Sequence, residues 1–535
     1  MRSTFFPLLV ALFLTATNTF SQVPNPTWCS TADGADYDLP VDMFVDQNGF
    51  IYVFGTFYSP TITFGSNVLT GFGGPSAFLV KYNDLGFVQW AQSFGGEAVA
   101  ITGSNENIYL TGPTSVRKLD GDGTVLWGIG ITVQDDFLDF AEATGIDVNF
   151  AGDVTVSGTF QSDQLRIGPS PWNAQNSISD NGNLGDNIFL FQCSPNGIVN
   201  WVTANGSDLL FEDVKSTTSA IDGFGNVFVA GTYDGVSLTF GNGTMVNSSA
   251  GFREAFVAKY GIDGSELWVA SPQGRLGHES IKELAVTPTG DVIVAGVFDC
   301  DTLTFWPFVQ LVNPAPNQGQ IFVTKFNYDG SLNWTKSIGG TEDNFVAALT
   351  DTEDGSLLLA RDDLQLERYD QAGTFMSGYT YGINSVFGTA YTGSIGTSSG
   401  SVVVAGAFSD SLTIGSCQLA DLSTSSSYAT DVFLVTLSEP IATSVSRNYT
   451  ELQPSLVAMP NPTNGLFTLP TVTGRNNSLA LYNSIGQLEF YMESISGTTP
   501  IDCAHLSSGS YFIKVTELES GANSFTRLIV QRSDR

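Results

Sequence analysis

An all-β repeat architecture is what this sequence predicts, and three observations carry the prediction. One strand pattern recurs seven times, its strands are apolar nearly throughout, and the polar share of the chain is carried by Gly, Ser, Thr and Asn. Charged residues make up only 14% of the 535, against about 25% in ordinary globular domains, which suits many turns between strands. A chain this long exceeds one ordinary domain unless that domain is a large repeat. The expected fold class is therefore all-β: a seven-bladed β-propeller over residues 22–437, closed by its N-terminal strand, then a linker over 438–455 and a small immunoglobulin-like β-sandwich over 456–535.

The repeat is read from strands of one type that line up from Phe50, Ile108, Val154, Val227, Val292, Leu357 and Val402. A second type follows from Ala77, Ser115, Asn187, Glu254, Gln320, Leu364 and Asp431. Continuous apolar runs of this kind belong to sheets covered on both faces. The last strand of each unit ends in Trp90, Trp127, Trp201, Trp268 or Trp334, with Thr374-Phe375-Met376 as a degenerate sixth. The spacing from Trp201 to Trp268 nearly equals that from Trp268 to Trp334, whereas Trp90 to Trp127 is much shorter, so long and short copies of one unit coexist. A fixed period of this size signals a propeller or an array. The seventh Trp strand is missing after Leu437, and Pro26-Thr27-Trp28 supplies one at the other end. That strand is expected to complete the last unit, removing an open sheet edge.

Ahead of the repeats, Arg2 precedes an apolar run from Phe5 to Leu14 that is too short to span a bilayer. It reads as a signal peptide over 1–21, cut between Ser21 and Gln22. No other stretch reaches the roughly eighteen apolar residues of a membrane helix. Asp and Glu number 53 against 20 Lys and Arg, a net charge of -33. Such a field repels nucleic acid and acidic membranes. Cys29, Cys193, Cys300, Cys417 and Cys503 show no metal or redox spacing. Free thiols are the expected state, with a Cys29–Cys417 pair within one unit as the alternative.

Asp120, Asp122 and Thr124 resemble the start of a calcium loop, but the closing Glu is absent and an Asp-Gly turn between strands explains them. At this level the repeats resemble the bacterial β-propeller repeat family, through Gly225-Asn226 with Val227 to Gly231, Ala255 to Lys259, and Gly95-Gly96 or Gly339-Gly340. The short second and sixth units and the Trp depart from that pattern. The resemblance implies an extracellular or envelope setting and no shared chemistry.

Length variation falls between the second and third strands, at about Ser66 to Ser76, Gly168 to Asp186, Gly241 to Arg253, Trp306 to Gly319 and Gly415 to Thr430. In an antiparallel four-stranded unit these loops emerge on the same face as the links between units, and variable loops are where repeat proteins bind. The links carry Asp36, Glu97, Asp135, Asp136, Asp208, Glu212, Asp213, Glu279, Glu342 and Asp343. Of these, Asp36, Glu97, Asp135, Asp213, Glu279 and Asp343 are candidate calcium ligands, set against local backbone capping. No catalytic residue or other cofactor is expected. His278 is the only histidine of the repeats and reads as a loop residue.

In the tail, Pro460, Asn461, Pro462, Gly465, Tyr482, Gly486, Leu506, Gly509 and Tyr511 form four motifs in order. They resemble the type A sorting domain of type IX secretion in the Bacteroidetes group. The resemblance implies export by that machinery to the outer-membrane surface of a Gram-negative cell or beyond it. The domain would be removed or exchanged for a lipid anchor. The function expected of the whole is noncatalytic binding of a glycan or a protein on the insertion face. The alternatives are a polysaccharide-acting enzyme that uses paired carboxylates and a purely structural surface protein.

Overall fold

A computed structural model describes most of residues 26–438 and 459–530. The gaps include 134–138, 170–175, 179–184, 206–212, 247–251, 306–308, 340–343, 381–389, 421–428, 471–476, 483–487 and 518–522. The signal-peptide residues Ser21 and Gln22 lie outside the described part, as do Pro460, Asn461, Pro462 and Gly486.

The described chain is all strand and turn, with no helix long and apolar enough to cross a membrane. Its strands sort into four-stranded antiparallel units in which sequence neighbours pair. Unit 1 opens with Asp38–Val45, unit 2 with Ala100–Ser104, unit 3 with Phe140–Val148 and unit 4 with Val214–Ile221. Unit 5 opens with Glu279–Val286, unit 6 with Val346–Asp351 and unit 7 with Ala390–Ser398. The fourth strand of unit 7 is Pro26–Gly34, which pairs antiparallel with Asp431–Ser438, so that Trp28 faces Thr436. The first strand of each unit packs on that of the next, and the first strand of unit 7 packs on that of unit 1. The fold is a β-propeller.

Packing follows from this arrangement. The second strands Ile51–Phe57, Val154–Gln161 and Val227–Tyr233 are buried almost end to end, because each sheet is covered on both faces. Apolar clusters fill the spaces between neighbours. One joins Tyr52 and Leu79 to Ile108 and Leu110, and another joins Val403 and Leu434 of unit 7 to Phe57 and Phe78 of unit 1. Each such side chain contributes roughly 1.5–3 kcal/mol by leaving water.

In the second strands, a Cβ on Gly55, Gly158, Gly231 or Gly296 would strike a first-strand carbonyl and the ring of Phe78, Phe189, Phe256 or Phe322. The close approach explains the glycine before each aromatic. First strands also carry a bulge in six units, between Pro40/Asp42, Ala143/Gly145, Ser216/Thr218, Ile281/Glu283, Val346/Ala348 and Thr392/Ser394. The bulge turns one side chain and one backbone N–H out of the ladder.

Three sequence expectations change here. The insertions are not wholly free loops: with the preceding Thr-Phe-Gly segments they form hairpins such as Thr61–Phe64 with Asn67–Thr70 and Thr302–Phe305 with Val309–Val312. The hairpins of units 1 and 3 extend the last strand of the unit before, through Ala32↔Phe64 and Ile131↔Ile167, and that of unit 5 pairs through Thr304 with the short strand Gln273–Gly274 that follows the last strand of unit 4. Backbone groups that a loop would leave to water are thereby paired. The second change concerns the sixth Trp position, which is occupied by Ser377 and not by Met376. The bulge places Arg368 opposite Ser377, just as Lys81 stands opposite Trp90. The third concerns the thiols. Cys193, Cys300 and Cys503 are free and buried, but Cys29 and Cys417 form a disulfide with Cα atoms 6.3 Å apart. They lie 388 residues apart in the chain, and the N-terminal strand that pairs into unit 7 brings them together, so the alternative state is the one found.

The tail is described by itself. Leu488–Ile495, Asn477–Tyr482, Gly509–Glu517 and Asn523–Val530 form a four-stranded antiparallel sheet. A short pair, Leu466–Phe467 with Ile501–Asp502, is the only other sheet among its described residues. Leu506 and Tyr511 join its core with Leu479, Ile513 and Leu528, and the Tyr511 hydroxyl donates to the Ser507 carbonyl.

Candidate functional site

The turns that lead into the last strands of units 1, 2 and 6 are Asx turns. Asp120 Oδ1 accepts the backbone N–H of Asp122 and of Thr124, at 3.0 and 2.8 Å. These bonds hold its carboxyl below the ordinary carboxylate range. Asn83 and Asp370 accept the corresponding bonds in their own turns, and Asp222 does so in the turn between the first and second strands of unit 4. Asp120→Asn keeps an acceptor oxygen, so it is expected to leave both the melting temperature and its insensitivity to calcium unchanged. A calcium-dependent melt lost in that variant would contradict the turn reading.

The described link carboxylates take four separate local roles. Asp36 Oδ1 accepts the N–H of Tyr37, and Glu97 accepts the Tyr58 hydroxyl at 3.0 Å. Asp213 accepts the N–H of Asp186 and lies 3.7 Å from Lys215 Nζ. Glu279 is sealed inside the junction of units 4 and 5 at 1% exposure. Asp135, Asp136, Asp208, Glu212, Glu342 and Asp343 lie outside the described residues. Among the described residues, no group of three or more His, Cys, Asp or Glu is placed to hold a metal ion. His278 accepts the Arg253 N–H through Nδ1 and stacks obliquely on Phe252.

Sequence reasoning missed a set of acids on the inner strands. Asp42 takes the Ile101 N–H of unit 2 at 3.0 Å and the Ser394 hydroxyl of unit 7 at 3.1 Å. Asp147 takes the Ile221 N–H of unit 4 at 2.9 Å and the Thr102 hydroxyl at 3.2 Å. Burial pushes both up to about 6 against these hydrogen bonds. Glu283 is pushed up to about 8 by burial, with Lys282 opposing and Asp42 adding to the rise. All three are half-buried. Protein nonetheless surrounds them, and that enclosure governs their ionisation. Nothing in sequence spacing marks them, because the bulge shifts the alternation of each first strand.

The face that carries the inserted hairpins also carries an open aromatic corner. Tyr37 and Tyr58 are each 41% exposed, with ring centroids 6.1 Å apart and planes tilted by 47°. The Glu97 bond fixes the Tyr58 ring, and Ser59 Oγ receives the N–H groups of Ala35 and Asp36 beneath it. The corner thus offers two ring faces and the carboxylates Asp36 and Glu97 on an ordered backbone.

Among solved structures the chain is similar to BamB from Moraxella catarrhalis, at 10% identity over 78% of this chain and 100% of that one, with a TM-score of 0.37. It is also similar to Raptor from Chaetomium thermophilum, at 7% identity over 78% of this chain and 30% of that one, with a TM-score of 0.41. Likenesses this loose add nothing to the strand order described above. No curated protein matches the chain. Residues 458–531 match the family described as secretion system C-terminal sorting domain. The chain is a β-propeller protein that carries a type IX secretion sorting domain, the mark of export to the cell surface or beyond.

Proposed function

We propose that the chain is a noncatalytic binding module of the cell exterior, whose ligand is a neutral glycan held at the Tyr37–Tyr58 corner. The observation that carries this reading is the exposed, anchored pair of tyrosines flanked by Asp36 and Glu97. Ring faces cover the apolar C–H faces of a sugar, and carboxylates accept from its hydroxyls. In this reading the seven units are the blades of one ring closed by Pro26–Gly34, supported by the packing of unit 7 on unit 1. The tail is an immunoglobulin-like sandwich joined through 438–455. The mature chain begins at Gln22, after signal cleavage, on the outer surface of a Gram-negative cell of the Bacteroidetes type.

The test is a glycan array probed with the full chain, with and without calcium. Saturable binding is expected, with Tyr58→Ala weakening it by about tenfold, or ~1.4 kcal/mol. Binding unchanged by Tyr58→Ala and by Tyr37→Ala would remove the corner from the reading. Calcium dependence would bring back Asp36 and Glu97 as ligands.

A second reading, a polysaccharide-acting enzyme, is favoured by Asp42 and Glu283, inner carboxyls driven to different ionisation ranges. Against it, Asp42 and Asp147 are committed to holding neighbouring inner strands. Turnover of a polysaccharide panel, abolished by Glu283→Gln, would establish the enzyme instead.

A further inference from the structure

Four junctions between units share one backbone bond. The backbone N–H of Asp38, Val214 and Glu279, at the start of first strands, and of Asn344, just before one, donates to the carbonyl of Thr430, Asp186, Arg253 and Gly319, at 2.8–3.1 Å. That carbonyl lies just before the third strand of the preceding unit, so the bond sets a common frame. In it, the next residue of each third strand, Asp431, Asn187, Glu254 or Gln320, stands beside the first-strand residue.

The junctions differ in what fills these two positions. Between units 5 and 6 it is a pair of neutral amides, Gln320 and Asn344, both buried against Gly339. Between units 7 and 1 it is Asp431 and Asp38. There the Ser59 hydroxyl donates to Asp38 at 2.8 Å, the Tyr58 N–H donates at 3.1 Å, and the Gly34 N–H reaches Asp431 at 3.4 Å. Between units 4 and 5 it is two glutamates, 0% and 1% exposed. Glu254 accepts the Gly274 N–H at 3.1 Å. Neither buried oxygen of Glu279 meets a fixed donor, and its carboxyl is pressed over Gly274, where a Cβ would strike it.

Two ionised carboxylates in such a place repel each other, and Glu279 there lacks the donors that a buried charge requires. A single proton between them resolves both problems, because a carboxylic acid donates to a carboxylate as the Asn344 amide can donate at the equivalent position. We propose that Glu254 and Glu279 share one proton across the junction of units 4 and 5, making that junction a pH-sensitive clamp.

The surroundings support the clamp. Glu279 is driven upward from the ordinary carboxylate range, first by burial and then by the Glu254 charge, with Asp299 adding to the rise. The Cys300 thiol beside it works against the rise, and Tyr233 faces both glutamates from the second strand of unit 4. Arg275, next to Gly274, is directed at Asp301 at 4.0 Å, and His278 is bonded to the Arg253 backbone. A carboxyl whose folded-state pKa is raised contributes most at low pH. That contribution is lost as pH climbs from the ordinary carboxylate range into the alkaline range. Above that window the proton has gone to solvent and two carboxylates face each other.

The test uses the full chain. Melting temperatures from pH 5 to pH 9 are compared for the wild type, Glu279→Gln and, as a control for the inner acids, Glu283→Gln. Glu279→Gln supplies the amide found at the next junction. It is expected to match the wild type at pH 5 and to melt higher at pH 9, so that its curve is flatter. Parallel curves, or a variant that melts lower at every pH, would overturn the proposal. A second measurement needs no variant: hydrogen exchange of the Glu279 amide relative to the Asn344 amide, which makes the same backbone bond at the neutral junction. The ratio of their protection is expected to fall roughly tenfold or more across the window. A constant ratio overturns the clamp even if Glu279→Gln fails to fold.

Discussion

Replacing Cys29 and Cys417 by serine is expected to lower the unfolding free energy by about 3–5 kcal/mol. Unit 7 is where the propeller is open to separation. In units 1 to 6 the third strand runs through a tight turn into the fourth, so the outer strand cannot leave without dragging its neighbour. In unit 7 the fourth strand enters from the far end of the chain and is held to Asp431–Ser438 with no connecting turn, by ladder bonds and by the Thr27 and Gly34 bonds to Thr436 and Asp431. The disulfide ties it to the hairpin strand Cys417–Ala420 and so restores the missing covalent link. Its 388-residue separation makes the lost chain entropy large. Chemical denaturation with and without reductant checks this. The wild-type midpoint should drop on reduction to that of the double variant, which should ignore reductant because Cys193, Cys300 and Cys503 are already free. Equal midpoints in all four conditions would show that the ladder alone secures the strand.

Trp201→Ala is expected to cost about 3 kcal/mol, while Ser377→Ala, at the equivalent position of unit 6, should cost less than about 0.5 kcal/mol. Six tryptophans each reach across to the next unit. The indole N–H of Trp28, Trp90, Trp127, Trp201, Trp268 and Trp334 donates to the carbonyl of Asp84, Gly121, Pro195, Ile262, Tyr328 and Gln371, at 2.8–3.2 Å. Each acceptor lies in the turn before the next unit's last strand. The ring lies flat under the turn glycine: Gly264 has φ of +79°, and a Cβ on it would approach Trp201 to 2.7 Å. In three units the third-strand lysine donates to the same carbonyl, Lys81 to Gly121, Lys118 to Pro195 and Lys259 to Tyr328. Unit 6 would have to reach unit 7, whose outer strand comes from the N-terminus and has no such turn. A tryptophan there has no carbonyl to meet, which accounts for Ser377. Urea denaturation of the two variants measures the contrast, and equal losses would reject the clasp.

Much of this was legible in one dimension. Strand identity was readable because both faces of each sheet are covered, so that runs such as Val227–Tyr233 and Glu254–Tyr260 are apolar without interruption. The Asx-Gly turns were readable because their chemistry is local, four residues from carboxylate to amide. The sorting domain was readable from motifs in order, although Leu506 and Tyr511 prove to be core and backbone-bonded positions as well as signature residues. The sixth Trp position was misread by one residue for want of the aromatic landmark, although the seven-residue spacing from Asp120 to Trp127 recurs from Asp370 to Ser377 and marks it.

By itself, then, the sequence determined the all-β class, the repeated unit, its Asx-Gly turns and the export signal, each of which depends on residues close together in the chain. Only the tertiary structure decided the rest. It brought Cys29 to Cys417, Glu254 to Glu279, Asp42 to Ile101, and Tyr58 to Glu97. These contacts join different units or the two ends of the repeat region, and their geometry depends on how whole sheets pack face to face. Sheet packing of that kind is set by the sum of many apolar contacts and leaves no local pattern to read.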